Sequence, residues 1–147
     1  MKVIQLSVSR GGIPKLPIAE ARLTTSGITG DSWAHPKIHG GPDQAVLLIT
    51  REGIEQLSAR GFPLYPGALG ENITTEGLEP GTLRAGDRFH IGETVIELTK
   101  PREPCRTLAT YGRGIRKAIL ASPGLTGFYA KVIQPGSIYP GAAISRG

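Results

Sequence analysis

The residues best suited to chemistry fall in one short run, Lys100-Pro101-Arg102-Glu103-Pro104-Cys105-Arg106, which holds the only cysteine among 147 residues. Each proline fixes its own φ at about −65° and pushes the residue before it toward extended geometry, so the run is stiff and non-helical. A thiol beside Lys100, Arg102 and Arg106 has its anion favoured, because nearby positive charge lowers the thiol pKa. The thiolate is the form that attacks electrophiles and binds soft metals. The ordinary role of a lone cysteine is that of a small buried hydrophobe. Local sequence leaves both roles open.

Three further segments carry polar groups worth placing. Ser9-Arg10-Gly11-Gly12-Ile13-Pro14-Lys15 combines a hydroxyl, two cations and paired glycines. Such glycines let backbone N–H groups approach a ligand, and arginine suits an oxyanion; a plain hairpin loop has the same composition. His35 and His39, with Asp31 nearby, are four residues apart. That spacing converges on a metal when both share a helical face, but Pro36 between them argues against a helix. A structured loop that places polar groups at a pocket is the preferred expectation. Glu71 and Asn72 follow a glycine and precede a strand-like run, where turn capping is their bland role.

These groups need elements to hold them. Lys2 to Val8 alternates as a first strand and Pro17 to Thr24 as a second. Gln44 to Thr50 is continuously apolar, as expected of a strand buried on both faces. A short helix should follow over residues 51–60, capped by Thr50 and stopped by Gly61. Gly70 to Thr74 begins another strand. Arg88 to Ile91 and Thr94 to Thr99 read as a hairpin joined by Gly92-Glu93, which delivers the chain to Cys105. Leu108 to Gly114 is loop-like, with Tyr111 and Arg113 available to line a site, and Ile115 to Leu120 suits a helical turn or two. Gly127 to Ile133 alternates, and Gly136 to Ile144 forms a last strand broken at Pro140-Gly141. The pattern predicts seven to nine short strands in a mainly β fold, a closed or nearly closed β-barrel with one or two short peripheral helices.

Composition agrees with one domain over residues 1–147: 21 glycines and 12 prolines make the chain turn-rich, and no repeat or composition shift marks a linker. The formal charge of +5 is scattered, which suits a solvated surface or an anionic small ligand better than nucleic acid. A lone cysteine fits a reducing compartment. No apolar run approaches the roughly 20 residues of a membrane span, and the N-terminal apolar run is too short for a signal peptide. A soluble, cytoplasmic protein is expected.

Three ordered stretches resemble one family. The first is Gly30-Asp31 with His39-Gly40-Gly41-Pro42-Asp43-Gln44-Ala45-Val46; the second is Gly70-Glu71-Asn72-Ile73-Thr74 with Gly77-Leu78, Gly86-Asp87 and Ile91-Gly92; the third is Pro101-Arg102 followed by Pro104-Cys105. Together they resemble the MOSC domain, named for the C-terminal part of molybdenum cofactor sulfurase and also found in small stand-alone bacterial proteins. The resemblance implies a β-barrel that binds the molybdenum cofactor. Cys105 would be the molybdenum ligand or sulfur acceptor, and Arg102 would face the cofactor's anionic groups. The Ser9-Arg10 loop would reach the pterin phosphate, while Asn72, His39 and Asp43 would line the pocket. Larger members carry an N-terminal barrel module and a C-terminal helical extension that have no counterpart in this sequence.

The activity that follows is either reduction of N-hydroxylated substrates, with a separate electron donor, or sulfur transfer for cofactor maturation. In the second case Cys105 would take sulfur as a persulfide from a donor such as a cysteine desulfurase. A non-catalytic module that binds and delivers the cofactor is the alternative. A metal-free thiol enzyme would instead need His35, His39 or His90 within hydrogen-bond reach of the sulfur.

Overall fold

The computed structural model describes residues 1–9, 13–31, 42–103, 106–121 and 125–147. Eleven strands and two α-helices lie among them, making the fold mainly β. An eight-stranded sheet runs in the order β11(Ile144–Arg146), β7(Arg88–Ile91), β8(Thr94–Pro101), β9(Phe128–Gln134), β5(Val46–Thr50), β6(Ile73–Glu76), β1(Lys2–Val8) and β2(Leu16–Ile18). A three-stranded sheet joins β10(Gly136–Ile138), β3(Ala21–Thr24) and β4(Gly27–Ile28). The pairs in the large sheet are antiparallel except β5 with β6. That parallel pair needs a crossover, which α1(Arg51–Ser58) and the following loop supply.

Strand β5 shows why its sequence is apolar at every position. Val46 and Leu48 enter one core with Val3, Leu6, Ile73, Phe89 and Ile96, while Leu47 and Ile49 enter a second core. The second core is completed by Ile54 and Leu57 of α1, by Leu69 and Leu108, and by Ile115 and Ile119 of α2(Ile115–Ala121). Thr50 ends the strand in extended geometry, and its hydroxyl accepts from the Gly53 amide at 2.9 Å. One residue thus closes β5 and caps α1, as expected. The β7–β8 hairpin also forms as expected, turning on Gly92 at φ 56°.

Three expectations are corrected. The fold is mainly β with two short helices, as expected, but among the described residues the ladders form no closed barrel: β11 and β2 are the outer strands of the large sheet. The start of β1, the strand inside β2, is instead tied to the segment leading into β11 by short backbone contacts. Lys2 bridges Ala143, the Val3 amide donates to the Ala142 carbonyl, and the Ile144 amide to the Met1 carbonyl. Pro140, with no N–H to give, and Gly141, at φ 91°, keep this segment from forming a regular strand. The expected second strand is two, since Leu16–Ile18 pairs with β1 whereas Ala21–Thr24 joins β10 and β4. The expected loop after Cys105 contains a 3-10 turn, Arg106–Tyr111.

Candidate functional site

One register row crosses the large sheet through Ile18, Leu6, Ile73, Leu48, Phe128 and Pro101. The polar residues of interest flank this row. Glu71 and Asn72 stand just ahead of β6, Ser7 and Ser9 close β1, and Arg102 follows β8. Lys15 precedes β2 and Asp31 follows β4.

Asp31 holds these segments together. Its Oδ1 accepts from the Ser9 amide at 2.9 Å. Its Oδ2 accepts from Lys15 Nζ at 2.6 Å and from Asn72 Nδ2 at 2.7 Å. The Lys15 and Asp31 side chains are only 5% and 1% exposed, so this is a buried ion pair rather than a surface one. Burial holds the Lys15 amine below its usual range, against the opposing pull of the Asp31 charge and hydrogen bond. Asn72 completes the arrangement: its Oδ1 accepts from the Leu47 amide at 3.0 Å, and its Nδ2 also reaches the Ser7 carbonyl at 3.2 Å. Far from merely capping a turn, Asn72 ties β1 to β5 through its own side chain.

Beside this clamp lie Arg102 and Glu71. Arg102 is 6% exposed and Glu71 fully buried. Arg102 Nη1 donates to the Leu69 carbonyl, while its Nε has no partner among the described residues. Glu71 Oε2 accepts from Thr74 Oγ1 at 3.0 Å, and its Oε1 likewise lacks a partner. Burial raises the Glu71 carboxyl above the usual carboxylate range; the amides of Gly67 and Glu71, the Thr74 hydroxyl and the Arg102 charge pull the other way. Tyr111 donates its hydroxyl to the Ala68 carbonyl, and its pKa is pushed up to about 12, chiefly by burial and then by Tyr65. Gly67 at φ 93° brings the chain close enough that a Cβ there would stand 2.4 Å from the Lys15 carbonyl oxygen. Only glycine fits, and it lets residues 67–70 pack against the Lys15 segment.

Of the residues singled out by sequence, Arg102, Asn72 and Ser9 flank this region. Asp43 does not join them by its side chain: it is exposed in the turn Pro42–Gln44, where its carbonyl accepts from Thr99 Oγ1 at 2.6 Å. Cys105, Arg10, His35 and His39 lie outside the described residues. Asp31, considered as part of a metal site, is the partner of Lys15. Among the described residues there is no group of three or more His, Cys, Asp or Glu side chains that could hold a metal ion. His90 is exposed on β7. Sequence reasoning named Lys15 and Glu71 but did not foresee that both are buried. The available signals were a charged residue after Gly70 at the start of a strand and a lysine set between Pro14 and Leu16.

A family model described as the MOSC domain matches residues 35–145. The uncharacterized protein YflK of Bacillus subtilis (strain 168) is 37% identical over 145 residues, covering 92% of this chain and 64% of YflK. Protein YiiM of Escherichia coli (strain K12) is 36% identical over 126 residues, covering 81% of this chain and 55% of YiiM. The chain therefore spans less than two thirds of the length of these curated relatives. The crystal structure of YiiM from Geobacillus stearothermophilus superposes with a TM-score of 0.81 at 27% identity, covering 99% of this chain and 74% of that one.

Proposed function

This chain belongs to the MOSC domain family, and on that premise we propose that it binds the molybdenum cofactor and reduces N-hydroxylated substrates with electrons from a separate donor. The observation that carries the reading is Arg102. It is a buried cation whose Nε has no partner among the described residues, three residues ahead of the single cysteine. A buried guanidinium that keeps a donor free fits an anionic group, and a thiolate fits a soft metal. The chemical demands of the cofactor and of these residues agree.

In this reading Arg102 would hold an anionic part of the cofactor, and Cys105 would supply the thiolate to its metal. Asp31, Lys15 and Asn72 would fix the backbone at Ser9, ahead of Arg10. Once bound, the cofactor supplies a two-electron redox centre. The chain's own part is to orient it, to favour the Cys105 thiolate through neighbouring cations, and to keep the surrounding polar groups satisfied.

Molybdenum and pterin content decides the matter. Protein would be purified anaerobically from a host that makes the cofactor, wild type beside Cys105→Ser. Stoichiometric metal and pterin in the wild type, with metal lost from the folded variant, is the expected result. Undiminished metal in Cys105→Ser would remove the ligand assignment. A wild type free of both metal and pterin, but carrying a persulfide on Cys105, would turn the reading to sulfur transfer. Cofactor bound without turnover of N-hydroxylated compounds in the presence of an electron donor would favour a delivery module.

A further inference from the structure

Two buried polar atoms of this region lack partners among the described residues, Nε of Arg102 and Oε1 of Glu71. The first can only donate, whereas the second accepts as a carboxylate and donates as an acid. They do not bond each other, so each is left to be satisfied by something else. An isolated carboxylate in such a place is costly, and taking up a proton is the usual relief.

We propose that this cluster couples oxyanion binding to proton uptake: an oxyanion that accepts from Arg102 Nε draws a proton from solvent onto Glu71. This rests on reading Arg102 as the receiver of the cofactor's anionic part, and adds to that reading a control by pH.

The groups around Glu71 give the sign. Arg102 faces it from the end of β8, Lys15 from the segment ahead of β2, and Tyr111 from the 3-10 turn; Thr74 and the amides of Gly67 and Glu71 complete the surroundings. Tyr111 stays uncharged near neutral pH. Lys15 is already matched by Asp31 at 2.6 Å, and Tyr65 acts on Tyr111. Arg102 spends Nη1 on a neutral carbonyl. It is therefore the cation whose charge most readily changes in effect. An anion arriving there offsets the positive charge that favours ionised Glu71 and adds negative charge in a poorly solvated place. Both effects tighten the hold of Glu71 on a proton. By linkage, a proton on Glu71 must tighten the hold on the anion by the same factor.

The test uses sodium sulfate, which takes up no proton near neutral pH, titrated calorimetrically into the whole chain in two buffers of different ionisation enthalpy. Wild type should take up as much as one proton per sulfate bound, and its affinity should weaken as pH rises, by up to about tenfold per unit. Glu71→Gln should bind sulfate with no proton uptake and a flat pH profile, and Arg102→Met should not bind. Sulfate binding that is lost in Arg102→Met but carries no proton uptake in the wild type would overturn the coupling and leave the anion reading standing. Full binding by folded Arg102→Met, or none by wild type, would overturn the anion reading as well. Should Glu71→Gln fail to fold, the Glu71 carboxyl ¹³C shift in the wild type reads the same coupling. Its titration should move to higher pH with sulfate, and an unmoved titration would overturn the proposal.

Discussion

At the scale of the residue, the structure concentrates its buried charge in a few side chains, and their environments oppose one another. Lys15 has a partner and Glu71 has none at one oxygen among the described residues, yet burial disfavours the charged form of both. The consequence for Glu71 can be worked out in sign. Its folded pKa lies above the unfolded value of about 4.5, so the native state holds its proton more tightly. That stability is fully present below the unfolded pKa and is lost as pH rises through the folded one. Glu71→Gln should therefore lose less stability than wild type between pH 5 and pH 8, compared by urea midpoints at each; a parallel loss in both proteins would mean that Glu71 does not titrate there. This part of the site was poorly legible in the sequence. Arg102 stood out because it lies near the cysteine. The Lys15–Asp31 and Asp31–Asn72 contacts join residues 16 and 41 positions apart, and no local pattern announces such pairs.

Elements were easier to read wherever their signals are local. Thr50 ends an apolar run and opens a helix, and both roles follow from its neighbours. Replacing it by alanine removes the acceptor for the Gly53 amide and should cost about 1 kcal/mol of stability, with the helix otherwise intact. Chemical denaturation with far-UV circular dichroism would check both parts. The β7–β8 hairpin was legible for the same reason. The division of residues 16–24 between two sheets was not, because Leu16–Ile18 and Ala21–Thr24 are separated by which partners they meet rather than by their own propensities. The same holds for the open large sheet. Alternation announces strands but does not say whether the first and last will pair along their whole length.

On the scale of the whole molecule, the large sheet separates two apolar clusters, one rich in strand residues and the other holding both helices. Ile96 belongs to the first and Ile119 to the second, and their surroundings share no residue. Ile96→Val and Ile119→Val should each cost about 0.5–1.5 kcal/mol. The double variant should equal their sum to within about 0.5 kcal/mol, because uncoupled sites add. A larger discrepancy in urea unfolding would mean that the two clusters respond as one.

The ties between Met1–Val3 and the segment from Gly141 to Ile144 have a consequence in time. A chain is made from its first residue onward, so β1 leaves the ribosome long before residues 141–144 exist. It can meet β2 and β6 as they emerge, but the edge at its start stays open until residues 141–144 have emerged as well. A strand made early is thus completed by a segment made much later, and the emergence of residues 141–144 decides when the edge at Lys2 and Val3 stops being open to other chains.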